Sequence, residues 1–292
     1  MQTKILITGA NGQLGQCLCN VLASKYPEVI VVATDIDTLD ASNADEVDAI
    51  LASGGFSHLV NCVAYTAVDR AETDVDRATI LNTIVPKILG SAASRHNVRI
   101  IHISTDYVFS GTGNTPLAED APTGPETVYG TTKLNGEKEI LSRAGNNAII
   151  IRTSWLYAAS APSNFIKTML RLGAGDKPIN VVNDQFGSPT NADDLAGAIA
   201  AIITSGRWIP GIYHYANTGV ATWYQLATEA LRLAGCKTPV FPISTAQYPT
   251  PAKRPAYSAL CLDKISQVYP EAQLFPWPKS LEQCIKRIKS LQ

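Results

Sequence analysis

The sequence has almost no net charge. Its 24 Lys and Arg against 25 Asp and Glu leave a balance of −1, and no run of like charge appears anywhere. That excludes the electrostatic footprint by which proteins hold nucleic acid. It also lacks any apolar stretch long enough to span a bilayer, and its start runs directly into Lys4–Thr8 without a hydrophobic leader and cleavage site. A cytoplasmic protein without membrane contact is expected. The six cysteines, Cys17, Cys19, Cys62, Cys236, Cys261 and Cys284, have no CxxC spacing and no companion histidines, which removes zinc-site and redox-motif readings and leaves reduced packing residues. There is no internal repeat and no low-complexity linker. With 292 residues the chain can form one large domain or two modest ones, with a sizeable core in either case.

What is present first is alternation. Apolar runs at Lys4–Thr8, Val29–Thr34, His58–Val63, Val98–Ser104 and Ala148–Arg152 read as buried parallel strands. Helical patterns at Gln13–Ser24, Ala44–Ala52, Asp76–His96 and Tyr129–Arg143 fill the gaps. The expected fold is α/β, a Rossmann-like doubly wound parallel sheet of right-handed βαβ units, with ligands at the carboxyl ends of the strands. After residue 152 prolines punctuate shorter helices, Asn164–Leu172, Ala192–Thr204 and Thr222–Ala234. The division expected is a dinucleotide-binding domain over 1–152 and a mainly substrate-binding, smaller mixed α/β part over 153–292. Strands near Ile179–Val182 and Ile212–Tyr215 can return to either.

The first strand ends in Gly9, Ala10, Asn11, Gly12, Gln13, Leu14, Gly15, which opens a helix. Glycine at 9 and 12 lets the backbone turn tightly and approach a pyrophosphate held by the helix N-terminus, and Gly15 permits close helix–sheet contact. The alternative is a purely structural turn, since GxxGxxG is not the GxGxxG fingerprint. Asp35 and Asp37 follow the second strand where an acid commonly takes the adenosine ribose hydroxyls, which leans towards NADH; either could equally cap its own loop. Leu39 and Asp40 fall beside the expected adenine position. After the third strand, Ala64, Tyr65 and Thr66 can pass along a cofactor. Asp69 can then reach substrate, or Asp69 and Glu72 can cap the next helix.

Ser104, Thr105 and Asp106 end the fourth strand, and Tyr129 and Lys133 stand four residues apart. On a helix the phenol and ammonium share one face, and a neighbouring cation favours phenolate and pulls the tyrosine towards the working pH range. A hydroxyl from Ser104 or Thr105 can bind the same substrate oxygen. YxxxK also arises by chance on solvated helix surfaces; the pattern gains meaning from its partners.

Together Gly9–Gly15, Ala64–Glu72, Ser104–Gly111 (STDYVFSG), Tyr129–Glu137 (YGTTKLNGE), Arg152–Tyr157 (RTSWLY), Asp184–Thr190 (DQFGSPT) and Arg254–Leu260 (RPAYSAL) resemble the dTDP-4-dehydrorhamnose reductase family of the extended short-chain dehydrogenase/reductases. The resemblance covers nearly the whole chain. It implies NADPH- or NADH-dependent reduction of the C4 ketone of dTDP-4-dehydro-L-rhamnose to dTDP-L-rhamnose, for surface polysaccharide. It puts the catalytic set on Thr105, Tyr129 and Lys133. Val68, Asp69, Asp106, Tyr107, Phe109 and Trp155 then line the sugar pocket, with Arg254 and Ser258 at the diphosphate end. Trp155 read alone can also be core packing, and Arg254 loop surface. Some members bridge a dimer through magnesium using a carboxylate two residues after the last glycine. Cys17 stands there, with Asp193 as a second acidic candidate, so a magnesium-independent monomer or a differently built homodimer is expected. Two rivals remain: another nucleotide-sugar ketoreductase or epimerase, and a non-catalytic dinucleotide-binding subunit resembling the β-subunit of methionine adenosyltransferase. Tyr107 where a dehydratase carries its second acid argues against a dehydratase.

Overall fold

Apolar, β-branched runs favour burial, and here they are stacked side by side with all but the edge strand Ile30–Thr34 largely inside. In the computed structural model, which describes residues 2–291, strands β1 (Lys4–Thr8), β2 (Ile30–Thr34), β3 (His58–Asn61), β4 (Arg99–Thr105), β5 (Ala148–Thr153) and β6 (Gly211–His214) make one six-stranded sheet. Every pairing in it is parallel, in the order β6-β5-β4-β3-β1-β2.

Helices cover both faces. On one face α1 (Gln13–Lys25) packs beside the later helix Ala192–Thr204, so Leu14, Leu18 and Leu22 share a core with Leu195, Ile199 and Ile202. On the other, α2 (Ala44–Gly54), α3 (Val85–Arg95) and α4 (Val128–Ala144) bury Val47, Leu51, Leu89, Ala93 and Ile140 against Leu6, Leu59, Ile100 and Ile150. The strand order reverses between β1 and β3, and the loops beginning at Gly9 and Cys62 leave the sheet there. That crevice is where doubly wound sheets take ligands.

Two sequence expectations change in detail. The helix expected over 76–96 is three pieces, Val75–Thr79, a π-helical turn Ile80–Ile84, and α3. The extra residue in the turn brings Asn82 wholly inside, where its amide bonds the backbone N–H (2.8 Å) and C=O (3.1 Å) of Tyr65 and the hydroxyl of Thr132 (3.2 Å). The strand expected near Ile212 closes the main sheet beside β5, whereas Ile179–Val182 pairs in parallel with Val240–Ile243 away from it. Against that second pair pack α5 (Phe165–Gly173) and, after α6 (Ala192–Thr204) on the main sheet, α7 (Trp223–Ala234), with α8 (Trp277–Ser290) beyond α7. Among the described residues no helix is long and apolar enough to cross a membrane, and all six cysteines are free.

Candidate active site

The glycine turn is shaped by contact. Gly9 has φ +71°, and a Cβ on it would stand 2.8 Å from the Val63 nitrogen; on Gly15 it would stand 2.3 Å from the Gly9 carbonyl. Only hydrogen fits at either position, so α1 begins pressed onto the turn. Its N-cap, Gly12, offers no side-chain acceptor, which leaves the first-turn N–H groups of Gln13 and Leu14 open to an anion. Asn11 and Gly12 are exposed beside them. This cradle fits a dinucleotide pyrophosphate.

Other residues of the expected cofactor set have prior engagements. Both oxygens of Asp35 accept backbone N–H groups, from Asn11 (2.8 Å) and Ile36 (2.8 Å), so this acid ties β2 to the glycine turn. Asp40 accepts the Ser42 N–H and hydroxyl (2.9 and 2.7 Å), which hold its carboxyl below its ordinary range. The Gln13 side chain spans to the Leu156 carbonyl (3.0 Å) and to Asn164. Ala64 and Thr66 flank Tyr65, whose hydroxyl turns aside to Asp74 (2.9 Å).

Thr105 ends β4, and Tyr129 lies in the first turn of α4, whose N-cap Thr127 accepts the Gly130 N–H at 3.0 Å. The Tyr129 phenol faces the Thr105 hydroxyl and meets the Tyr107 ring edge-on at 5.5 Å. Thr105 Oγ1 donates to Asp106 Oδ1 at 3.0 Å and accepts the Tyr107 N–H at 3.2 Å. Asp106 is 2% exposed, and its Oδ2 lacks a completed hydrogen bond although Ser258 faces the carboxylate. Burial lifts this acid to about 6, with Ser258 and Thr105 opposing the rise.

Lys133, 2% exposed, donates from Nζ to the Ile103 carbonyl at 2.5 Å, and burial brings it down to about 8. The expected pull of Lys133 on the phenol is therefore corrected. In this state desolvation dominates and raises Tyr129 above its ordinary value, while the Thr105 hydroxyl it faces works the other way.

The expected substrate residues divide. Asp69 Oδ2 pairs with Arg254 Nη2 at 2.6 Å and Asp69 Oδ1 accepts the Ala252 N–H at 3.2 Å, while Arg254 Nη1 reaches the Tyr107 hydroxyl at 3.4 Å. Asp69 thus faces the loop carrying Arg254, and Val68 stands beside it at the start of the short helix Val68–Ala71. Trp155, in the left-handed region at φ +47°, has one indole face covered by Trp223, stacked at 3.7 Å and 9°. Phe109 is corrected from pocket lining to support: it is 2% exposed, under the Arg152 guanidinium and edge-on to His214.

The sequence reading missed Asn82, and it missed the pairing of Glu137 with Arg152, joined at 2.9 and 2.8 Å. The Tyr129, Lys133, Glu137 spacing carried a signal for the second; nothing marked Asn82. Cys17 and Asp193 do not fit magnesium. Burial pushes the Cys17 thiol up to about 12, and both Asp193 oxygens accept Arg287 Nη1 at 2.8 Å. Among the described residues no three acidic, histidine or cysteine groups converge as metal ligands.

A protein of Streptomyces antibioticus named "Probable dTDP-4,6-dihydroxy-2-methyloxan-3-one 4-ketoreductase" is 44% identical over 89% of the chain and 87% of its own length. The dTDP-4-dehydrorhamnose reductase of Mycolicibacterium smegmatis is 38% identical over 99% of the chain and 86% of its own. The crystal structure of a Bacillus anthracis dTDP-4-dehydrorhamnose reductase in complex with NADP superposes with a TM-score of 0.91 at 35% identity, covering 98% of this chain and 99% of that one. With the family model described as RmlD substrate binding domain matching residues 3–290, the chain belongs to that family.

Proposed function

We propose that the protein reduces the C4 ketone of dTDP-4-dehydro-L-rhamnose to dTDP-L-rhamnose with a nicotinamide dinucleotide. The observation that carries this is the meeting of Thr105, Tyr129 and Lys133 beside the glycine cradle, at the carboxyl end of the sheet. The cofactor, when bound, supplies the hydride. Gly9, Asn11, Gly12, Gln13 and Leu14 hold its pyrophosphate, and Ala64, Tyr65 and Thr66 border its path. NADPH has direct support in the NADP-bound relative. Asp35 spends its oxygens on the Asn11 and Ile36 N–H groups, which offsets part of its repulsion of a 2′-phosphate.

The chain's own chemistry is proton chemistry. As negative charge grows on the sugar oxygen, the Tyr129 phenol gives up its proton to it. The Thr105 hydroxyl orients the same oxygen. Lys133 stabilises the resulting phenolate and holds the nicotinamide-ribose hydroxyls. The burial that raises the Tyr129 pKa makes an unassisted phenolate costly, so the ammonium has a definite task.

Arg254 marks the diphosphate end, with Ser258 buried behind it against Asp106, and Asp106, Tyr107 and Trp155 border the sugar. Residues 153–292 supply most of this substrate-binding part, with β6 returned to the cofactor half. The form proposed is a cytoplasmic monomer or homodimer, and the Asp193–Arg287 pair accords with its working without magnesium.

A second reading, reduction of a different dTDP-4-ketosugar, draws on the Streptomyces antibioticus relative. The test is oxidation of NADPH and NADH by purified protein given enzymatically prepared dTDP-4-dehydro-L-rhamnose or the 2-deoxygenated ketosugar. Turnover of the first by a wild type that a Tyr129→Phe change silences supports the proposal. Dinucleotide binding without turnover of either sugar would instead favour the regulatory-subunit reading.

A further inference from the structure

The catalytic face of α4 continues one turn further than the reaction requires. Tyr129, Lys133 and Glu137 recur every four residues, which places them along one stripe of the helix. The stripe is turned onto the sheet: Lys133 is 2% exposed and Glu137 1%. Opposite, on β5, stands Arg152, also 2% exposed. Its Nε and Nη2 donate to the two Glu137 oxygens at 2.9 and 2.8 Å, and its Nη1 to the Glu119 carbonyl at 3.2 Å.

This wall therefore holds two cations and the Glu137 carboxylate, while the other buried acid, Asp106, is turned to Thr105 and Ser258. Cys62, His102 and Tyr129 beside Lys133 bring no negative charge. Burial pushes the Cys62 thiol after β3 up to about 12. Burial keeps His102 on β4 neutral, and Tyr129 stays protonated. Glu137 stands one helical turn from Lys133 without direct contact, and its negative charge opposes the lysine's desolvation. An uncompensated buried charge is expensive, and a lysine answers by releasing its proton.

We propose that Glu137 is a positioning residue for the reductase reaction: its carboxylate is the counter-ion shared by Arg152 and Lys133, and it keeps the Lys133 ammonium charged in the dry wall of the cleft. This rests on the reading of Lys133 as the partner of Tyr129 and of the cofactor ribose. Lys133 titrates near 8 even with Glu137 in place, so its charge stands close to being lost at working pH. A neutral amine would neither stabilise the phenolate nor hold the ribose hydroxyls as strongly.

The experiment compares wild type, Glu137→Gln and Glu137→Asp in NADPH affinity and kcat from about pH 6 to about pH 9. In Glu137→Gln both quantities should begin to fall at least about one pH unit earlier than in wild type, and return to within about twofold of it near pH 6. Glu137→Asp, which keeps the charge, should follow the wild-type curve. A Glu137→Gln profile lowered uniformly at every pH, or a Glu137→Asp profile displaced like the glutamine's, overturns the proposal.

If Glu137→Gln does not fold, lysine-labelled NMR on wild type and Glu137→Asp reads the Lys133 titration directly. An amine already neutral near pH 7 would then overturn it, and an ammonium there supports it. Because NADPH affinity is read without turnover, a wild type with this pH dependence that reduces no dTDP-ketosugar keeps the counter-ion and loses only the substrate.

Discussion

Asp69 and Arg254, 185 residues apart in sequence, meet in an ion pair of 2.6 Å that joins the loop after β3 to the segment before Ser258. The aspartate uses one oxygen for the guanidinium and the other for the Ala252 N–H, so the loop is held at two points. The remaining N–H groups of Arg254 are free to take an anion. A guanidinium oriented before its ligand arrives loses less freedom on binding.

Arg254→Ala should therefore raise KM for the dTDP-sugar by about 10- to 100-fold and leave kcat within a few fold, because charge-assisted bonds to phosphate act in ground and transition state alike. Arg254→Lys should recover only a small part, since an ammonium cannot reproduce the planar fork. Steady-state kinetics decide it: a fall in kcat at constant KM would move Arg254 into the chemical step.

Tyr129→Phe removes one oxygen at the end of a ring that is otherwise packed against Tyr107. The expected loss is ~10²–10⁴ in kcat with cofactor affinity retained. Single-turnover reduction with prebound NADPH measures it, and a variant as fast as wild type would remove the phenol from the proton transfer.

Asp106→Asn should change stability in a pH-dependent way. The folded protein lifts Asp106 from 3.8 to about 6, so between those values the folded state binds more protons than the unfolded, and stability declines as pH rises through that window. Above it the buried carboxylate costs ~3 kcal/mol relative to its solvated form. Asparagine can still accept the Thr105 hydroxyl and carries no charge. Its Tm advantage over wild type should grow from about pH 4 to about pH 7 and then level off, while turnover falls. Thermal melts across pH check this, and a constant Tm difference would mean that Asp106 is not ionised by burial-sensitive titration in the fold.

Gly15→Ala would place a methyl 2.3 Å from the Gly9 carbonyl. The turn must open, which should cost ~1–3 kcal/mol of stability and sharply weaken dinucleotide affinity. Fluorescence titration with NADPH reports the second effect; unaltered affinity would show that the turn does not hold the pyrophosphate.

The sheet and the glycine turn were legible because their signals are local. Apolar runs such as Ala148–Arg152 announce buried strands, and Gly9 and Gly15 announce a close backbone approach by residue type alone. Tyr129 and Lys133 were equally readable from helical spacing. What the spacing could not convey was electrostatic state, since that depends on burial: it suggested a phenol eased towards ionisation where the folded protein has one held protonated. Asp69 with Arg254 and Glu137 with Arg152 pair residues from distant segments, and no periodicity connects them. Asn82 was hidden for a different reason. A π turn shifts the helical face by one residue, so an apolar-period count places this amide on the wrong side.

The place of β6 matters to the chain as it is made. Residues 148–153 are all buried in the finished protein, yet their outer partner, Gly211–His214, lies beyond the segment that holds α5 and α6. On a ribosome the Ile149–Ile151 stretch is therefore a bare, apolar sheet edge until residue 214 emerges, the kind of edge that recruits foreign strands. The six-stranded sheet cannot finish itself first and wait. Its last strand arrives only after α5 and α6 have been synthesised, so a nascent chain stalled between β5 and β6 is the species most in need of a chaperone.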